Sequence, residues 1–158
     1  MKIQFNLNGR DTEVDVPPDR RVIDLLREDL GLTGAKESCG TGECGSCTIL
    51  VDGISSLSCL MLAVQLQGRQ VTTVEGLAQG EKLHPVQEAF VEYGAVQCGF
   101  CTPGMILSAV HLLRQNPSPT GEEIREGLSG NLCRCTGYAK IREAVEAAAR
   151  RMEEEETP

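Results

Sequence analysis

Hydrophobic and polar residues alternate at the start of the chain. The stretch IQFNL at positions 3–7 and the stretch TEVDV at positions 12–16 each place apolar residues at every second position, and Asn8-Gly9 lies between them. Strict alternation is typical of a half-buried strand, and Asn-Gly is the preferred turn of a two-residue hairpin. The pattern predicts a β-hairpin.

The next segments continue a mixed α and β pattern. In RVIDLLREDLG the apolar residues recur at helical spacing and Gly31 follows the last one, which predicts one helix. CTILVDG and ISSLSC predict two strands joined across Asp52-Gly53, and QVTTVEG predicts another strand. We expect an α+β domain over residues 1–76.

The pattern changes after Gly76. GLAQGEKLHP has no clear period and predicts a linker, and beyond it we expect no strands. Thr120 and Glu123 have the spacing of a capping box, and Pro103 suits the first turn of a helix. Residues 77–158 therefore predict a second domain, a small helical bundle with helices at HPVQEAFVEYG, TPGMILSAVHLLRQNP, TGEEIREGL and YAKIREAVEAAARRMEEE.

Composition narrows the possible functions. The net charge of −8 argues against nucleic-acid binding, which requires a positive surface. We find no apolar run long enough to span a membrane and no apolar core of a signal peptide, so we expect a cytoplasmic protein with no membrane contact. Cytoplasmic thiols stay reduced, and the eight cysteines therefore point to metal binding or catalysis rather than to disulfides.

The first four cysteines have a ligand spacing. Cys39, Cys44, Cys47 and Cys59 follow the pattern C-x4-C-x2-C-x11-C, which is the spacing of plant-type [2Fe–2S] ferredoxins. The predicted hairpin before the fourth cysteine would return it to the loop that holds the other three. Structural zinc is the alternative, but zinc sites of four cysteines normally use two close cysteine pairs.

The same loop contains the sequence G-x-G-x-x-G at Gly40, Gly42 and Gly45. A dinucleotide-binding fingerprint follows a strand and opens a helix, whereas this stretch follows a predicted helix and is interleaved with cysteines. We therefore assign the glycines to loop curvature around a metal centre, where positive φ angles turn backbone N–H groups toward anionic sulfur.

The last four cysteines form a second set. Cys98, Cys101, Cys133 and Cys135 follow the pattern C-x2-C-x31-C-x-C. CGFC alone is compatible with a thioredoxin-like redox pair, but that requires a βαβ context and the surroundings here predict helices. Metal binding is favoured, with zinc still an alternative to iron–sulfur. The two sets account for all eight cysteines and leave no nucleophile.

The segments around both cysteine sets resemble those of a known protein family. ESCGTGECGSCTILVDG, VQCGFCTPGMILSA and SGNLCRCTGY are similar to the small iron–sulfur subunit of molybdenum hydroxylases, and the similarity covers nearly the whole chain. The resemblance implies an N-terminal β-grasp, plant-type ferredoxin domain and a C-terminal four-helix bundle domain, each with one [2Fe–2S] cluster.

The resemblance also implies partners and contacts. A large subunit would carry molybdopterin, with Gln97 and Cys135 of this chain in contact with the pterin while Cys135 also binds iron. A medium subunit would carry FAD, and the assembly would be a dimer of heterotrimers. Substrate oxidation would lie outside this chain. The alternative hypothesis is a free-standing two-cluster ferredoxin. For His84 and His111 we expect packing or surface positions rather than a chemical role.

Overall fold

The first half of the chain forms a mixed five-stranded sheet. The structure is a computed structural model that describes residues 1–156. The sheet has the order β2-β1-β5-β3-β4. β1 and β5 are parallel, and the other neighbouring pairs are antiparallel. A parallel pair requires a long connection, and the first cysteine set lies in that connection. The strands are β1 (Lys2–Leu7), β2 (Arg10–Asp15), β3 (Thr48–Val51), β4 (Ile54–Leu57) and β5 (Gln70–Thr72).

Both predicted hairpins are present. Asn8 and Gly9 have φ angles of 51° and 81°, and Asp52 and Gly53 have φ angles of 51° and 79°. Two consecutive positive φ angles are the geometry of a type I′ turn, which matches the twist of the flanking strands. In the second hairpin Thr48, the first residue of β3, pairs with Leu57, the last residue of β4. The open end of this hairpin therefore lies directly beside the cysteine loop.

Two predicted elements differ in detail. The predicted helix is a single α-helical turn, α1 (Val22–Asp24), that continues as a π-helical turn over Leu25–Asp29. Its four apolar residues are fully buried, so packing against the sheet outweighs regular helical geometry there. The strand predicted from QVTTVEG ends at Thr72, and a 3₁₀ turn occupies Val74–Gly76.

Four further helices follow the sheet, at the positions that the sequence predicts. The capping box is confirmed, since the Thr120 side chain accepts from the Glu123 N–H and Glu123 accepts from the Thr120 N–H. Pro103 lies in the first turn of its helix, also as predicted. No helix among residues 1–156 is both long and apolar enough to cross a membrane. The helices are α2 (Pro85–Glu92), α3 (Thr102–Gln115), α4 (Gly121–Gly127) and α5 (Ala139–Glu156).

Strand β3 joins the sheet to the helices. Successive side chains of a strand point to opposite faces. Ile49 is buried with α1 and the strands, whereas Leu50 is buried in the cluster formed by the four later helices. The two halves therefore share β3 as a strand that is buried on both faces, with the first cysteine set at its N-terminal end.

Candidate metal centres

The β3–β4 hairpin brings two cysteines of the first set together. Cys47 precedes β3 and Cys59 lies in the 3₁₀ turn that follows β4, and their Sγ atoms are 3.3 Å apart. Ser58 supports this corner, because its backbone N–H and its hydroxyl both donate to the Cys47 carbonyl. Both thiols are buried. The fourth cysteine thus returns to the loop, as the sequence predicts.

The loop that carries Cys39 and Cys44, the other two cysteines of this set, curls around the Cys39 sulfur. The N–H groups of Thr41 and Cys44 donate to the Cys39 Sγ at 3.4 and 3.5 Å. Gly40 and Gly42 allow this curvature with φ angles of 64° and 85°. These backbone donors lower the pKa of the Cys39 thiol to about 5. The loop is therefore built to hold a thiolate.

Within the buried pair, Cys47 has the opposite property. Burial raises the pKa of its thiol to about 12, although a hydrogen bond from the Cys59 backbone opposes this in part. A buried thiol of this kind loses its proton only when a cation compensates the charge, as a coordinated metal does. Cys39 is thus pre-organised as a thiolate, whereas Cys47 requires the metal.

The second set is assembled from two loops at the start of α3 and before α5. Cys101 is the N-cap residue of α3, and Cys133 lies in the loop that precedes α5. The thiols of Cys101 and Cys133 interact with each other, as do those of Cys98 and Cys135. Two segments that are far apart in the sequence therefore place their four sulfurs as two pairs.

Hydrogen bonds distinguish the sulfurs of this set. The Thr136 hydroxyl and N–H donate to the Cys133 Sγ at 3.1 and 3.4 Å. Burial alone would raise the pKa of Cys133, but the bonds from Thr136 outweigh it and lower the pKa to about 7. Burial raises the pKa of Cys101 to about 12. Each set thus combines a stabilised thiolate with a thiol whose pKa is raised by burial.

The pairwise arrangement suits a two-iron centre. In a [2Fe–2S] cluster each iron takes two thiolates, so paired sulfurs such as those of Cys47 and Cys59 match the donor requirement of one iron.

Contacts that the sequence analysis did not anticipate connect the two sets. The N–H of Leu132, which precedes Cys133, donates to the carbonyl oxygen of Cys44 at 2.9 Å. Beside it, the buried Asn131 side chain donates to the Gly45 carbonyl at 3.1 Å. Neither residue has a metal-binding side chain, and neither belongs to a helical pattern of apolar residues. Cysteine spacing and helical periodicity therefore could not identify them.

The second set is the more exposed of the two. Cys98 and Cys135 are exposed, and Gln97 is exposed beside Cys98. Large apolar side chains close to these cysteines in the sequence are also exposed. We call these four residues the apolar rim; they are Val96, Phe100, Leu132 and Tyr138, with exposed fractions of 40%, 44%, 54% and 44%.

Both histidines have structural contacts. His84 is the N-cap residue of α2, where its Nδ1 accepts the Val86 N–H at 3.2 Å. The His111 Nδ1 lies 3.2 Å from the Gly53 carbonyl oxygen. Both histidines therefore occupy packing positions, as the sequence predicts.

Family models of [2Fe-2S] binding domains match both halves of the chain. A family model described as a 2Fe-2S iron-sulfur cluster binding domain matches residues 5–76, and one described as a [2Fe-2S] binding domain matches residues 73–146. The chain therefore carries two [2Fe–2S] clusters, as the sequence predicts.

Similar full-length proteins are subunits of oxidoreductases. The chain is 52% identical to the nicotinate dehydrogenase small FeS subunit of Eubacterium barkeri, over 94% of this chain and 95% of the relative. It is 54% identical to the nicotine 6-hydroxylase small subunit of Paenarthrobacter nicotinovorans, over 92% and 87%. By these names, the chain corresponds to one subunit of an oxidoreductase with several subunits.

Solved structures agree in fold. A chain of quinoline 2-oxidoreductase from Pseudomonas putida superposes with a TM-score of 0.94 at 49% identity, over 99% of this chain and 98% of that chain. The aldehyde oxidoreductase of Desulfovibrio gigas also gives 0.94, at 39% identity, over 99% of this chain and 18% of that longer chain. The chain belongs to the family of small iron–sulfur subunits of molybdenum hydroxylases and serves electron transfer through two [2Fe–2S] clusters.

Proposed function

We propose that the two cysteine sets are the ligands of the two clusters. The Cys47 and Cys59 sulfurs form a pair in the first set, the sulfurs of the second set form two pairs, and this observation carries the proposal. We also propose the division of the chain into residues 1–76, as a β-grasp, and 77–158, as a four-helix bundle, which the family models over residues 5–76 and 73–146 support. The first cluster is assigned to Cys39, Cys44, Cys47 and Cys59, and the second to Cys98, Cys101, Cys133 and Cys135.

The chain's own residues prepare each site for electron transfer. A bound [2Fe–2S] cluster accepts and releases one electron at a time. The N–H groups of Thr41 and Cys44 and the hydroxyl of Thr136 donate to sulfur. Hydrogen bonds to the ligand sulfurs stabilise the more negative, reduced state, and burial opposes it. The potential of each site is therefore set by this balance between donors and burial.

We propose that the second cluster faces a large molybdopterin-binding subunit. Cys98 and Cys135 are exposed at the surface of the chain, and the apolar rim next to them supplies surface for a partner to cover. Gln97 is exposed beside Cys98, where its amide has access to a partner's pterin. Cys135 is assigned both iron binding and pterin contact on the strength of the resemblance in sequence.

The remaining features of the assembly are proposed from the resemblance to the family. Electrons would leave the first cluster for FAD in a medium subunit, and the holoenzyme would be a dimer of heterotrimers. We propose the cytoplasm as its location, because cysteines held as thiolate ligands persist where thiols remain reduced. The substrate is decided by the large subunit and not by this chain.

Purification of the native complex tests the proposal. We expect about four irons and about four acid-labile sulfides per chain, from two clusters of two irons. Molybdopterin should copurify in a larger subunit. Zinc without sulfide would contradict the cluster assignment. A stable monomer with both clusters and no molybdopterin subunit would instead support the free-standing ferredoxin.

A further inference from the structure

Asn131 contacts both halves of the molecule. Its side chain is buried, with 6% of the residue exposed. The Oδ1 atom accepts a hydrogen bond of 2.7 Å from the Ser108 hydroxyl on α3. The Nδ2 atom donates to the Gly45 carbonyl at 3.1 Å and lies 3.4 Å from the Thr48 hydroxyl, both beside the first cysteine set. One amide therefore links the helical half to the loop of the first cluster.

The backbone segments around this amide approach each other closely. A Cβ atom on Gly45 would lie 2.3 Å from the carbonyl oxygen of Gly130 and 2.6 Å from the Asn131 Nδ2. A Cβ atom on Gly104 would lie 2.3 Å from the Gly45 carbonyl oxygen. The two backbones approach each other only because glycine occupies both positions, and the approach places α3 directly on the cluster loop.

The contact leads to a direct link between ligand residues. Leu132 follows Asn131 and precedes Cys133, and its N–H donates to the Cys44 carbonyl at 2.9 Å. Cys44 is assigned to the first cluster and Cys133 to the second. One hydrogen bond and one peptide unit therefore separate a ligand residue of one set from a ligand residue of the other.

We propose that Asn131 is a positioning residue that sets the rate of electron transfer between the two clusters. It does so by holding the Leu132 N–H on the Cys44 carbonyl. The inference rests on the proposed ligand assignment. In the step concerned, one electron leaves the second site, which is oxidised by one electron, and arrives at the first site, which is reduced by one; no proton is transferred.

The amide group is chemically suited to this position. Its oxygen accepts a hydrogen bond from Ser108 and its nitrogen donates one to Gly45, and both atoms lie in the plane of the amide. Aspartate has the same shape, but when ionised it would direct an oxygen at the Gly45 carbonyl oxygen and repel it. The Gly45 carbonyl also accepts from the Thr48 N–H at 3.1 Å and its hydroxyl at 2.7 Å, so it keeps partners when Asn131 changes. The substitution should alter position more than it alters folding.

The test uses Asn131→Asp in the complete holoenzyme, with Asn8→Asp as the matched control. Asn8 also links two chain segments through its amide, bonding to the N–H and hydroxyl of Thr73, but it contacts neither cysteine loop. Methyl viologen radical produced by pulse radiolysis supplies single electrons, and freeze-quench EPR follows their redistribution between the clusters. Iron content, the midpoint potential of each cluster and amide hydrogen exchange at Leu132 are measured in parallel.

We expect Asn131→Asp to keep its iron and to exchange the Leu132 amide faster. Transfer between the clusters should slow about tenfold beyond what any shift of the two potentials by the added charge explains, as displacement of a positioned reaction partner does. Asn8→Asp should leave the rate of transfer unchanged. An unchanged rate in Asn131→Asp, or a slower rate explained wholly by a shifted potential, would overturn the inference.

A second variant covers a failure of Asn131→Asp to assemble. Ser108→Ala removes only the hydrogen bond that orients the amide and introduces no charge, and it should accelerate amide exchange and slow transfer in the same direction. Unchanged exchange and transfer in this variant would also overturn the inference. Failure of the proposed ligand assignment is distinguishable, because the unaltered protein would then lack one or both clusters.

Discussion

The sulfur atoms of Cys47 and Cys59 lie 3.3 Å apart, although the two residues are 12 positions apart along the chain. The β3–β4 hairpin accounts for this, because a two-residue turn returns the second strand to the start of the first. We therefore assign both cysteines to the same iron of the first cluster.

Substitution of Cys59 should remove one cluster only. In Cys59→Ser we expect the iron content to fall from about four to about two per chain, because a hydroxyl is a poor substitute for a thiolate ligand. The EPR signal of the second cluster should persist. Loss of both signals in a chain that remains folded by circular dichroism would contradict independent assembly of the two sites.

Substitution of Cys133 tests the order of the clusters. Cys133→Ser in the holoenzyme should remove the EPR signal that couples magnetically to molybdenum and leave the signal of the other cluster. The reason is that the second set lies at the exposed surface proposed to face the large subunit. If the cluster of Cys39 to Cys59 carries that coupling instead, the proposed order is reversed.

Two glycines of the first loop should differ sharply in their tolerance of alanine. Gly40 and Gly45 both have positive φ angles, of 64° and 73°, so alanine costs about 1–2 kcal/mol of folding free energy at either position. At Gly40 the nearest atom to an added Cβ is a carboxylate oxygen of Glu37 at 3.2 Å, whereas at Gly45 it is a backbone carbonyl at 2.3 Å.

We therefore expect Gly40→Ala to lose about 1 kcal/mol of unfolding free energy, and Gly45→Ala to lose more than about 3 kcal/mol, because the backbone of Gly130 cannot move aside without displacing Asn131. Denaturant unfolding of the two variants measures the difference. Equal losses would show that the two halves do not depend on this contact.

The apolar rim should be required for assembly with the partner subunit. Phe100→Asp places a charge among exposed apolar side chains next to Cys98, and a desolvated, unpaired charge opposes association. The matched control is Val91→Asp on α2, where Val91 is 69% exposed and outside the rim. Size-exclusion chromatography of coexpressed subunits should show Phe100→Asp as a separate small subunit and Val91→Asp in the complex. Normal assembly of Phe100→Asp would exclude the rim as the interface.

The cap of α2 should make stability depend on pH. Burial lowers the pKa of His84 below its usual 6.5, and the charge of Arg114 lowers it further while Glu155 raises it. The neutral ring is the form that accepts the Val86 N–H. The contribution of this cap to the free energy of unfolding is therefore complete above about 6.5, the pKa of His84 in the unfolded chain. It is lost as the pH falls from there through the lower pKa of His84 in the folded protein.

His84→Asn keeps a side-chain acceptor for the cap and does not titrate. Between pH 8 and pH 5 the unaltered protein should lose about 1 kcal/mol more unfolding free energy than this variant, which is the usual contribution of an N-cap. Denaturant unfolding at both pH values measures it. The same decline in both proteins would show that His84 is not the titrating group.

Local features of the fold follow from the sequence alone. The Asn8-Gly9 and Asp52-Gly53 turns and the Thr120 capping box depend on residues within a few positions of each other, and the structure contains all three. The π-helical turn at Leu25–Asp29 was not predictable in this way, because the burial of neighbouring apolar residues against the sheet decides it.

The eight cysteines and their two ligand spacings can be read from the sequence, since short spacings and positive-φ glycines dictate which sulfurs one loop can present together. How the two sets are joined depends on tertiary contacts. Asn131 bonds to Gly45 across 86 residues, and Leu132 bonds to Cys44. No local pattern encodes a hydrogen bond of that range, because it forms only after β3 and α3 have packed against each other.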